Sequence, residues 1–162
     1  MHLFLMRHGI AFEHFEWDGS DASRPLTEEG FERTRQVLDA LKADKKRAPE
    51  LDAIWSSPLV RARQTAEIAA EVLGVKMTIC EALACGTSVA LLRQHFKQLS
   101  VPERLMLVGH EPDCGMILSE LIGAADPRPF KKAGVAHLRG EFKPRGMKLE
   151  YQLSPKDLLG RD

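Results

Sequence analysis

Arg7 and His8 stand side by side where the apolar run "LFLM" (3–6) stops, and Gly9 follows them. Histidine offers a ring nitrogen that can act as nucleophile or base near neutral pH, and arginine offers a rigid fork of donors to an anion. A second run, "RLMLVGH" (104–110), ends in the same way, in Gly109 and His110. Taken singly, each histidine is compatible with a structural residue satisfied by its neighbours. As a pair, each with a glycine beside it, they point to one edge of a sheet. Ligands of open α/β sheets bind in the crevice at the carboxyl ends of the strands.

Further arginines fall where helices begin. "SSPLVRARQTA" sets Arg61 in the first turn of a helix, and Arg24 immediately precedes "PLTEEG". Helix N-termini favour anions through free N–H groups and the dipole, so a cation there is misplaced unless an anion sits in front of it. Each of these arginines alone is compatible with a solvated surface charge. Together, Arg7, Arg24, Arg61, His8, His110 and two helix N-termini can converge on one small dianion, and phosphate suits guanidinium forks.

Strand and helix signals alternate along the chain that must position these groups. After the strand at 3–6 comes the polar, turn-rich "EHFEWDGSDASRP". Thr27 then caps a helix reaching Ala43, with Glu28 and Glu29 in its first turn and Leu26 set to staple onto Phe31. Phe31, Thr34, Val37, Leu38 and Leu41 keep a helical stripe. A strand at 51–57 leads to a helix capped by Ser57, with Pro58 at its first position and Gly74 at its end. A short strand around "VKMTI", a helix across 88–98 and the strand 104–110 follow. Pro112 opens a helix running to Gly123, and strands near 134–139 and 147–153 precede a short tail. This alternation predicts one domain over 1–162, an α/β three-layer sandwich with a mostly parallel central sheet flanked by helices.

Composition narrows the classes of function. With 23 basic and 23 acidic residues the net charge is zero, so no global field favours nucleic acid, although a neutral sum can hide local clustering. No stretch approaches the roughly 18 apolar residues of a membrane span. The charge after the first apolar run is on the wrong side for a signal peptide. Cys80, Cys85 and Cys114, odd in number and without CxxC spacing, read as reduced thiols in a cytoplasm.

"RHG", "SRPLTEEG", "SPLVRARQTA" and "VGHEP", in this order, resemble the motifs of the histidine phosphatase superfamily, the phosphoglycerate mutase-like fold. The forms of these motifs and the short chain are most similar to SixA-like phosphohistidine phosphatases, from residue 1 to about 155 and including "LSPKDL". The resemblance implies that His8 is the nucleophile that takes the phosphoryl group. It also implies that Arg7, Arg24, Arg61 and His110 line the phosphate pocket, with no metal and no cofactor. A phosphohistidine on another protein would be the substrate, in a signalling phosphorelay or phosphotransfer protein, with no nucleic-acid or membrane partner. On chemical grounds His8 must be neutral, its second ring nitrogen held by a backbone carbonyl. Gly9 would let the backbone approach closely and turn sharply.

One departure is visible. Where many members place a glutamate after the third strand, this chain reads "ICEALACGTS". Glu81 precedes Leu83 where the family's acid would follow, so it stands as a candidate general acid or as an exposed loop charge. A phosphoimidazole needs such an acid less than an alkoxide does. The alternatives are a small-molecule phosphomonoester phosphatase and an inactive phosphate-binding module. A mutase would need inserted segments to cover its substrate. A zinc site from His110, Glu111 and Cys114 lacks a second ligand cluster.

Overall fold

The computed structural model describes residues 1–161. Strands β1 (His2–Arg7), β2 (Ala53–Ser56), β3 (Met77–Ile79), β4 (Arg104–Gly109), β5 (Val135–Gly140) and β6 (Met147–Leu153) form one sheet in the order β3-β2-β4-β1-β5-β6. The first four run parallel, β5 lies antiparallel beside β1, and β6 pairs antiparallel with β5. Helices α1 (Glu28–Ala43), α2 (Val60–Leu73), α3 (Val89–Phe96), α4 (Asp113–Ile122) and α5 (Pro155–Leu159) complete the chain. The α/β class expected from the alternation is the one observed.

The period-two pattern of the central strands explains the layers, because successive side chains leave opposite faces of a sheet. Leu3, Leu5, Leu105 and Leu107 pack with Val89 and Leu92 of α3 and with Ile117, Leu118 and Leu121 of α4. Phe4, Met6, Met106 and Val108 pack on the other face with Val37, Leu38 and Leu41 of α1 and with the alanines of α2. The short α5, where the sequence predicts only a tail, adds Leu158 and Leu159 to that second layer. Among the described residues no helix is long and apolar enough to cross a membrane.

Two helix starts differ from expectation. Thr27 does cap α1, accepting the Gly30 N–H at 2.9 Å. Phe31, however, is 39% exposed and forms no part of the buried stripe, which runs through Gly30 and Thr34 instead. The backbone after β1 presses on α1 here. A Cβ at position 30 would lie 2.0 Å from the Ile10 carbonyl oxygen, and one at position 9 would lie 2.2 Å from Thr34 Oγ1. Gly9 is therefore required by close approach and not by a sharp turn, since its φ is not positive. In α2 the cap is Leu59 and not Ser57, and the helix begins at Val60, two residues past Pro58. Ser57 is held elsewhere. Gly74 closes α2 in the left-handed conformation, as its position implies.

Candidate active site

The register of the sheet builds the site. Arg7 pairs with Gly109 across β1 and β4, so the next residues, His8 and His110, leave the same edge together. The His8 N–H donates to the Gly109 carbonyl at 3.0 Å, and the Ser57 N–H donates to that of Val108 at 3.0 Å. Ser57, His110 and His8 thus stand in a row at the carboxyl ends of β2, β4 and β1. The two imidazoles lie 5.4 Å apart between centroids, at 58°. His8 is 8% exposed and His110 2%.

A hydrogen bond assigns the tautomer of His8. His8 Nδ1 is 2.7 Å from the Gly9 carbonyl oxygen, which can only accept. Nδ1 therefore carries the proton, and Nε2 keeps its lone pair. Burial, then the neighbouring His110, Arg61 and Arg7, push the His8 pKa down to about 3, against the opposing effect of the Gly9 bond. His110 Nε2 lies 2.7 Å from Ser57 Oγ, and that oxygen already accepts the Leu59 N–H at 3.2 Å. The Ser57 hydroxyl is free to donate to Nε2, and in that tautomer the proton of His110 sits on Nδ1, a buried atom without a partner. Burial first, then Arg61, lowers the His110 pKa to about 4.

These shifts set a pH dependence of stability. In an unfolded chain a histidine titrates near 6.5, so below that value the unfolded state binds protons that the folded state does not. Stability should be complete above about pH 6.5 and fall as the pH drops toward the folded values of about 4 and 3. Each histidine contributes roughly 1.4 kcal/mol per pH unit in that window. Denaturant unfolding should show a loss on the order of 4 kcal/mol between pH 7 and pH 5. That slope should flatten in the His8→Asn/His110→Asn double variant. A wild-type stability independent of pH over this range would mean that both rings titrate in the fold as they do in the unfolded chain.

Three arginines complete the pocket. Arg61 lies in the first turn of α2, as expected, and is 4% exposed. Arg7 Nη1 donates to the Phe130 carbonyl at 2.8 Å, while the Nε atoms of Arg7 and Arg61 are buried without partners. Arg24 reaches the carbonyl of Phe12. Arg7, His8, Arg24, Arg61 and His110 all line one cavity of about 270 Å³. Orphaned buried donors on Arg7 and Arg61, and the unpartnered Nδ1 of His110, are what an oxyanion would engage.

Sequence reasoning missed Asp21. Its short 3-10 turn, Asp21–Ser23, is capped by Ser20 and leans over the pocket. One carboxylate oxygen accepts from Arg61 Nη2 at 3.1 Å and the other from Arg24 Nε at 3.1 Å, while Arg61 Nη1 donates to the Asp21 carbonyl at 2.8 Å. Burial opposes its charge, but the bonds from Arg24 and Arg61 hold its pKa below the usual carboxylate range. The cation at the start of α2 therefore finds part of its counter-charge inside the chain. The available signal was the spacing of three residues between Asp21 and Arg24. Ser57 was missed because it reads as a helix cap.

Other residues sort plainly. His14 borders the pocket, and Trp17 donates to Ser23 Oγ at 3.2 Å, bracing the loop. Glu81 is exposed in its own 3-10 turn and is not among the residues lining the pocket, so it is no candidate acid. The carboxylates that do line it are Glu13, Asp21 and Glu111. Glu111 Oε1 accepts the Gly115 N–H at 2.7 Å, inside the first turn of α4, and burial raises its pKa. Cys114, once a possible zinc ligand beside it, lies in the apolar core.

Comparison with known proteins adds the following. The profile of the histidine phosphatase superfamily (branch 1) matches residues 3–84. An uncharacterized protein of Picosynechococcus sp. is 37% identical over 144 residues, covering 86% of this chain and 85% of that protein. The phosphohistidine phosphatase SixA of Escherichia coli is 28% identical over 163 residues, covering 98% and 96%. Among solved structures, the protein histidine phosphatase SixA complexed with tungstate superposes with a TM-score of 0.83 at 26% identity, over 98% of this chain and 99% of that one. A mycobacterial glucosyl-3-phosphoglycerate phosphatase, 16% identical, shares the fold with a TM-score of 0.66 over 94% and 98%.

Proposed function

This chain belongs to the histidine phosphatase superfamily, and from that premise we propose that it hydrolyses phosphohistidine on another protein through a phosphohistidine intermediate of its own, on His8. Membership supports phosphatase activity. The similarity to a phosphohistidine phosphatase along nearly the whole chain supports the protein substrate. A cytoplasmic setting belongs to the same proposal, supported by three free thiols. One observation carries the reading: a buried, neutral His8 with Nδ1 committed to Gly9 faces the pocket that Arg7, Arg24 and Arg61 line.

The chemistry follows from that arrangement. The Nε2 lone pair of His8 attacks phosphorus as the substrate's P–N bond breaks. The electron pair returns to the departing imidazole, which takes a proton from water. Charge on the three equatorial oxygens is met by the guanidinium groups, and His110 Nδ1–H supplies a further donor. Water then attacks phosphorus, inorganic phosphate leaves, and His8 regains its lone pair. The incoming phosphate competes with the Asp21 carboxylate for the N–H groups of Arg24 and Arg61.

Leaving groups test the substrate class. Asp21 is held ionised by two arginines and has no proton to give. Glu111, with its raised pKa, is engaged by the Gly115 N–H. An alkoxide therefore departs without a dedicated acid, whereas an imidazole is basic near neutral pH and needs less help. A phosphohistidine protein should exceed alkyl phosphates in kcat/KM by about a hundredfold, or roughly 3 kcal/mol, with aryl phosphates between them. The position and raised pKa of Glu111 favour a second reading, a small-molecule phosphomonoester phosphatase. Equal turnover of alkyl phosphates, abolished by Glu111→Gln, would establish that reading instead.

A further inference from the structure

We infer that the basic groove beside the catalytic pocket docks an acidic segment of the protein that carries the phosphohistidine; the inference rests on the function proposed above. The groove has a volume of about 690 Å³ and shares Arg7 and Lys132 with the pocket. Its walls come from the loop after β1, from α1, from the loop before β5 and from the start of α5. Arg7, Arg33, Lys131, Lys132 and Lys156 line it against the single carboxylate of Glu29. A chain with 23 basic and 23 acidic residues has thus gathered five cations around one concavity.

These cations lack the close carboxylates that others have; Arg7 and Arg33 donate instead to the carbonyls of Phe130, at 2.8 Å, and Arg161, at 3.1 Å. Elsewhere on the surface Arg35 pairs with Glu71, Arg63 with Glu67, and Arg104 with Glu50 and Asp52. Among the described residues, Arg33, Lys131 and Lys156 have no carboxylate within 4.0 Å, and Lys132 has only Glu13, at 3.9 Å. Like charges left unpaired around one groove repel each other and favour an anionic partner, steering its encounter. The cations are spread over separate elements along a space larger than the phosphate pocket, which suits several carboxylates along a chain and not one small ion. Ile10 and Pro155 give the groove apolar surface for the stems of those side chains. Because the groove meets the pocket at Arg7, a segment lying in it stays attached to a histidine inserted beside His8.

The test uses Arg33→Glu/Lys131→Glu/Lys156→Glu, three positions outside the phosphate pocket, and Lys131→Gln/Lys156→Gln as a milder variant. The substrates are a phosphohistidine peptide flanked by Asp and Glu, the same peptide flanked by Ser and Gly, and free phosphohistidine. Wild type should prefer the acidic peptide about tenfold in kcat/KM at low salt, less at high salt. The triple variant should lose that preference and the milder one part of it, both with unchanged turnover of free phosphohistidine. A preference that survives the triple substitution overturns docking, as does an equal loss on free phosphohistidine. Faster turnover of a small alkyl bisphosphate than of either peptide, lost in the variant, overturns it too by assigning the groove to a second phosphate. The first two outcomes leave the proposed function standing, whereas the third overturns it in favour of the small-molecule reading. A wild-type protein that hydrolyses none of the phosphohistidine substrates overturns the proposed function and the docking with it.

Discussion

A His8→Asn protein should retain its fold and lose at least about a thousandfold in kcat/KM, on the order of 4 kcal/mol of transition-state stabilisation. Asparagine can still donate to the Gly9 carbonyl, so the local backbone keeps its bond. It has no lone pair to replace Nε2, and the covalent step is lost. During turnover of labelled substrate, wild type should hold a phosphoenzyme that survives alkaline quenching and is destroyed by acid. His14 borders the same pocket, so a His14→Gln protein must be run beside it. The label should persist there and vanish from His8→Asn. Normal turnover by His8→Asn, or a label that follows His14, would remove His8 from the reaction.

Replacing Arg61 with Ala should cost about a hundredfold in rate, roughly 3 kcal/mol, through loss of a donor aimed at developing charge. The effect on folding should be small, about 1 kcal/mol, although Arg61 is buried, because Asp21 keeps Arg24 and is itself 45% exposed in its side chain. Arg61→Lys should not restore activity. A guanidinium can hold the Asp21 loop with its Nη atoms while Nε remains for an oxyanion, and a single ammonium cannot meet both demands. Asp21→Asn separates the two duties of Arg61. It removes the internal anion and leaves the Asp21 carbonyl bond, so vanadate or tungstate should bind at least as tightly as to wild type. Full activity of Arg61→Ala would make this arginine a brace for the Asp21 loop and nothing more.

Much of this site was legible before the fold was known, for a physical reason. Residue type and local spacing determine what a side chain can do and where a helix starts, so "RHG", Thr27 at its cap and Arg61 in the first turn of α2 could be read directly. Alternating apolar residues in β1 and β4 likewise required helices on both faces. What the amino-acid order did not carry was pairing across distance. Ser57 lies 53 residues from His110, Arg61 lies 40 from Asp21, and the Phe130 carbonyl lies 123 from Arg7. Those contacts depend on the register of β2, β4 and β1 and on the path of the loop over them. Ser57 read as a cap because its local spacing allows one, and the sheet gave its hydroxyl to His110 instead. Glu81 and Glu111 are both carboxylates close to a strand end. The tertiary structure turned the first to solvent and left the second half-buried near Arg7, because only Glu111 follows a strand at the centre of the sheet.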